Sequence, residues 1–160
     1  MKQIILLGVA LSFFFLAFSQ QYKTAIGVKG GYSFFGGAFI NAKHFLSGST
    51  AVEGSLGGNS NFFRVQGMYE RNATLTSDFE WYWGAGADLG VFTTKFNHTS
   101  NGVIKTYSGL FGGFNGLLGA EYTFSDYPIN LAFDMGPTLR LFPYIGFGWT
   151  AAMAARFTIK

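Results

Sequence analysis

Apolar and polar positions alternate along most of the chain, and the pattern is sharpest over 116–134, GLLGAEYTFSDYPINLAFD. Leu118, Ala120, Tyr122 and Phe124 share one parity; Leu117, Gly119, Glu121 and Thr123 share the other. After Ser125-Asp126-Tyr127-Pro128 the alternation resumes, with Leu131 and Phe133 opposite Asn130, Ala132 and Asp134. A period of two marks a strand whose faces meet different environments. Ser-Asp-x-Pro is turn chemistry, because Asp bonds the backbone locally and Pro presets its own φ. The same pattern predicts strands over 22–33, 38–46, 50–58, 62–71 and 80–92, then 109–124, its continuation to 141, and 148–160. Residues 93–108 are polar and are expected to form the longest connection.

The charges decide which face is which. Lys29, Lys43, Arg64, Arg140 and Arg156 fall on one parity of their strands, together with Glu53, Glu70, Asp88, Glu121 and Asp134. The opposite face of the strand centres carries no charge. A sheet closed at about eight strands has an interior only wide enough for side chains. The chain's 20 phenylalanines and three tryptophans would not fit inside it. Glycines on the charged parity (Gly27, Gly84, Gly90 and Gly119 among them) leave space for long ionic side chains. The expectation is therefore an all-β fold: an eight-stranded antiparallel up-and-down transmembrane β-barrel. Its ten charges form an interior network, and its aromatic rings face lipid. Balanced, hydrogen-bonded charges are tolerated in such an interior, which is then filled by side chains and is not an open pore. Trp81, Trp83, Tyr122, Phe124, Trp149 and Phe157 are the expected aromatics of the membrane interface.

Composition agrees with short strands. Aromatics make up 19% of the 160 residues, there are 23 glycines, and charged residues at 12% are scarce. There is no cysteine, which excludes disulfides, thiolate metal sites and a thiol nucleophile. Lys2, the apolar run over 4–18 and Ala17-x-Ser19 read as a secretory signal peptide, 1–19, leaving 20–160 as the barrel domain. Removing Lys2 from the 11 basic residues leaves ten against eight acidic ones. That balance does not suggest a nucleic-acid partner.

Signals for chemistry are sparse. His44 and His98 are the histidines; neither has a nucleophile and an orienting acid placed by the sequence, as covalent catalysis requires. No metal-ligand cluster, cofactor motif or catalytic residue is predicted. Binding is expected through the 93–108 loop, with Lys95, Asn97, His98, Lys105 and Tyr107 as candidate contacts to an extracellular partner. Two other readings stand beside this one: a soluble periplasmic ligand-binding barrel of lipocalin type, and a lipid A-modifying barrel enzyme.

The segments GLLGAEYTFSDYPINLAFDMGPTLRL and WYWGAGADLG, supported by AIGVKGGY and FLSGSTAVEG, carry a resemblance over nearly all of the chain past the leader. It resembles small porin-like outer-membrane β-barrel proteins of Bacteroidetes-type bacteria, similar in architecture to the OmpX and OmpA-transmembrane-domain group. The resemblance implies an outer-membrane location, a monomer surrounded by outer-membrane lipid, and handling by the barrel-assembly machinery. It also implies a structural or surface-interaction role in adhesion or envelope defence. The ending Phe157-Thr158-Ile159-Lys160 departs from the terminal aromatic residue usual in that group.

Overall fold

The computed structural model describes residues 22–32, 36–100 and 103–160. The predicted leader, 1–19, lies outside them. Eight strands follow one another: β1 (Thr24–Tyr32), β2 (Gly37–Ser47), β3 (Thr50–Asn59), β4 (Phe62–Thr74), β5 (Phe79–Ser100), β6 (Val103–Thr123), β7 (Ile129–Phe142) and β8 (Gly146–Ile159). Each pairs antiparallel with its neighbours in sequence, and β1 pairs with β8 from Thr24↔Ile159 to Tyr32↔Ala151. The result is a closed barrel with an up-and-down meander. Closure leaves no free sheet edge around the wall.

The faces are inside-out relative to a water-soluble protein. Along β7 the exposed and buried positions alternate almost without interruption. Leu131, Phe133, Met135, Leu139 and Leu141 face outward, while Asn130, Asp134, Thr138 and Arg140 are buried. Trp83 is 54% exposed and Val28 64%, whereas Lys43 and Glu70 are 0% exposed. Chain topology defines two rims. The lower rim holds the start of β1, the end of β8 and the connections at 48–49, 75–78 and 124–128. The upper rim lies at the opposite end, where β1, β3, β5 and β7 finish and β2, β4, β6 and β8 begin.

One expectation is corrected. Residues 93–100 and 103–108 are not a loop: β5 runs on to Ser100 and β6 begins at Val103, so the two strands extend as a paired ribbon past the upper rim. Pairs from Phe96↔Tyr107 to Ser100↔Val103 hold it, after a register shift between Phe92 and Phe96. Thr, Val, Ile and Tyr are strong strand formers, and Asn-Gly is the strongest short hairpin signal. The polar composition hid this, because Thr93, Thr94, Lys95 and Asn97 set no hydrophobic contrast between the two faces. Two strand ends also shift, β4 reaching Thr74 and β8 beginning at Gly146.

Candidate functional site

The chemistry of this molecule is concentrated in the lumen. All ten charged residues assigned to the interior from the sequence lie there, each no more than 7% exposed. Long ionic side chains need space across the barrel, and glycines on neighbouring strands supply it. Arg64 pairs across the sheet with Gly57 and Gly90, Glu70 with Gly84, Arg156 with Gly27, and Arg140 with Gly113.

The ten charges do not form one network. In the lower half three cations meet four carboxylates. Lys29 Nζ lies 2.7 Å from Glu53 and 2.7 Å from Asp134. Lys43 Nζ lies 3.0 Å from Glu70 and 3.0 Å from Glu121. Arg156 reaches Glu53 through Nη2 and Glu121 through Nη1. Its Nε and Nη1 also donate to the side-chain oxygens of Asn41 and Asn130. Tyr22 donates to Glu121 at 3.2 Å, Tyr82 to Asp134 at 3.1 Å and Asn72 to Glu121 at 3.1 Å. Each carboxylate faces at least one cation, and Glu53 and Glu121 each face two. A buried charge is tolerated on those terms. Lys43 Nζ additionally sits 4.2 Å above the Tyr82 ring, a cation–π contact.

The upper half is built differently. Phe39, Phe62, Phe92 and Phe111 form a buried aromatic cluster. Phe92 and Phe111 ring centroids are 4.6 Å apart, and Phe62 meets Phe111 edge-on at 5.8 Å. Arg64 lies 4.6 Å over the Phe39 ring and Arg140 4.6 Å over Phe111. Asp88 accepts a 2.7 Å hydrogen bond from Asn115. Between the halves is a cavity of about 40 Å³ bordered by Lys29, Ser55, Arg64, Gln66, Asn115 and Asp134. That is space for roughly three waters, at 10–15 Å³ each. Arg64 Nε and Asn115 Oδ1, two buried atoms with no hydrogen-bond partner among the described residues, belong to side chains on its wall.

The six interface aromatics assigned from the sequence all face outward. Trp81, Tyr122, Phe124 and Phe157 lie toward the lower rim, where Tyr122 and Phe124 pack edge-to-face at 4.9 Å. Trp83 lies one outward step above Trp81, and Trp149 lies toward the upper rim beside Phe147. Of the candidate binding residues, Lys95 and Asn97 are exposed on β5 and Tyr107 is half-buried on β6, its ring 5.2 Å from Tyr144. The side chains of His98 and Lys105 lie outside the description. His44 is half-buried on the wall, with Nδ1 2.8 Å from Thr24 Oγ1.

The sequence reading missed the phenylalanine cluster. Its signal was present, since Phe39, Phe62, Phe92 and Phe111 occupy the same parity as Lys43, Arg64, Asp88 and Gly113 on their strands.

The chain is similar in fold to the N-terminal β-barrel domain of Pseudomonas aeruginosa OprF. The TM-score is 0.64 with 14% identity, and the match covers 87% of this chain and 100% of that one. No family model matches the sequence, and no curated protein matches it.

Proposed function

We propose that the protein is a non-enzymatic, monomeric barrel of the bacterial outer membrane, closed to solutes, which acts at the cell surface through its β5–β6 ribbon in adhesion or envelope defence. The observation that carries this reading is the inversion of faces: ionic side chains at the axis and a continuous apolar exterior. Water offers no reason to expose Trp83, Val65, Leu89 and Phe133 together while burying five cations and five carboxylates. Hydrocarbon does, and a closed barrel leaves no backbone group of its wall unpaired there. The fold shared with the OprF barrel domain supports the same placement. Upward projection of the longest hairpin supports an orientation with the termini on the periplasmic side.

The lipocalin-type reading is disfavoured by the lumen. A small-molecule site needs roughly 300–1,000 Å³, against about 40 Å³ for the cavity between the halves of the lumen; a larger hollow lies outside it, at the lower rim between Asp78, Asp126 and Lys160. Fractionation tests the choice: the protein is expected in the detergent-extracted outer membrane, with heat-dependent gel mobility, and recovery in the soluble periplasmic extract would overturn the proposal. Planar-bilayer recordings are expected to show no stable single-channel steps. Excising the ribbon, residues 94–107, is expected to leave folding intact while lowering adhesion or serum survival; unchanged behaviour in both assays would remove the ribbon's assigned role.

A further inference from the structure

The turn between β7 and β8 does not suit water. From Leu141 to Ala155 the chain carries no charged residue, although Arg140 and Arg156 flank the stretch. The turn itself reads Phe-Pro-Tyr-Ile-Gly-Phe. Ile145 is 82% exposed and Phe147 66%, with Phe142 and Trp149 exposed beside them. Gly48-Ser49 and, at the same upper rim as this turn, Ser60-Asn61 are polar, and the lower-rim turns set Leu75, Phe124 and Tyr127 among charged and hydroxyl residues, Ser77-Asp78 and Ser125-Asp126.

Its height matters too. Phe142 is the last β7 residue paired with β6, opposite Gly112. From that level β6 continues outward over 103–111, roughly 30 Å of strand at about 3.3 Å per residue. The β7–β8 side of the upper rim therefore stops short and ends in apolar side chains, while the adjoining ribbon rises beyond it and exposes Thr94, Lys95, Asn97 and Thr106 together with Ile104. Phe147, Trp149 and Met153 run from the short side straight into the apolar outer wall.

We propose that the β7–β8 turn is seated in lipid. Ile145 and Phe147 lie in the headgroup–acyl boundary of the outer leaflet, so the barrel is immersed to its upper rim at this turn, while the adjoining β5–β6 ribbon, whose Tyr107 meets Tyr144 of the turn, rises beyond it. The proposal rests on the membrane reading above. The occupant is lipid because the apolar tip is continuous with the apolar wall. Boundary depth is favoured over the hydrocarbon centre because the turn's backbone groups, outside the strand ladder, need water within reach. Aromatic and aliphatic side chains with no charge suit that zone. Anything that binds at the cell surface then meets a one-sided rim, with access to the ribbon but not to the turn.

The absence of cysteine makes the test direct. Single-cysteine variants Ile145→Cys, Val65→Cys (outer wall) and Ser60→Cys (β3–β4 turn) carry a nitroxide in phosphatidylcholine vesicles. Collision rates are read with oxygen, which partitions into lipid, and with a water-soluble nickel chelate. The oxygen-to-chelate ratio is expected to be several-fold higher for Ile145→Cys than for Ser60→Cys, and below that for Val65→Cys. A ratio for Ile145→Cys equal to that for Ser60→Cys, with Val65→Cys still lipid-like, overturns the seating of the turn and leaves the membrane barrel standing. Chelate access at Val65→Cys as well overturns both. Phe147→Cys, on the same tip, gives the same reading should Ile145→Cys fail to fold.

Discussion

The lower and upper halves of the lumen solve one packing problem by different means. Below, Lys29, Lys43 and Arg156 are each held by two carboxylates, and Tyr22, Asn72 and Tyr82 donate further hydrogen bonds to Glu121 and Asp134. Above, Arg64 and Arg140 lie on phenylalanine rings, with Asp88 as the carboxylate of that half. The ten charges sum to zero only over the whole barrel: three cations and four carboxylates below, two cations and one carboxylate above. The comparison teaches that neutrality read from a sequence does not specify pairing. One half relies on ion pairs made across the lumen; in the other, two guanidinium groups lie on close-packed phenylalanine rings, Arg64 at the cavity wall.

The sharpest way to break this contrast is to remove a cation from the lower half. Arg156→Met leaves Glu53 with Lys29 alone and takes donors from Glu121, Asn41 and Asn130. Removing one partner of a buried ion pair costs about 3–5 kcal/mol, because the carboxylate left behind remains desolvated. The midpoint of urea unfolding in lipid vesicles, followed by tryptophan emission, is expected to fall accordingly. A shift as small as that of an exposed substitution would show that water enters and solvates the lower network.

Next in size is Phe111→Ala, which tests the upper half on its own terms. Phe111 is fully buried, packs on Phe62 and Phe92, and underlies Arg140. Phe→Ala in a packed core costs about 3–5 kcal/mol, and part of that is recovered where the site can collapse or admit water. A loss of about 3 kcal/mol is therefore expected. Smaller again is Gly119→Ala. A Cβ there would stand 2.5 Å from Tyr82 Cζ and 2.8 Å from the Asp134 Cβ, so Tyr82 must move off its 3.1 Å hydrogen bond. Overpacking of this kind costs about 1–3 kcal/mol, read from the same unfolding curve.

Much of this architecture is legible in the sequence because a strand has two faces and these faces differ strongly. Parity alone assigns Lys29, Glu53, Arg64 and Arg156 to one environment and Trp83, Leu89 and Phe133 to the other, and a one-residue slip would exchange them. Pairing is another matter. Arg156 and Glu53 are 103 positions apart and meet across the lumen from strands that are not neighbours. Their meeting depends on the stagger that closes the barrel, and no local pattern encodes it. The ribbon was obscured for the opposite reason: Thr93, Thr94, Lys95 and Asn97 show no contrast between faces, so strand and loop look alike by polarity. Only the β-formers of 103–107 and the Asn-Gly pair distinguish them.

The smallest effect is expected where the lower-half substitution is repeated above. Arg64→Met removes a guanidinium from the Phe39 ring and from the neighbourhood of Asp88, but severs no ion pair with two carboxylates. The cation–π contact is worth about 0.5–2 kcal/mol depending on its desolvation. Methionine regains part of this through a sulfur–aromatic contact of about 0.3–1.5 kcal/mol. Asp88 keeps its bond from Asn115. A net loss of about 1 kcal/mol is expected, several-fold below that of Arg156→Met. Equal losses for the two arginines would mean that Arg64 carries its half of the lumen electrostatically after all, with cavity water linking it to Asp88 in place of direct contact. The distinction drawn between the halves would then be one of geometry without energetic consequence.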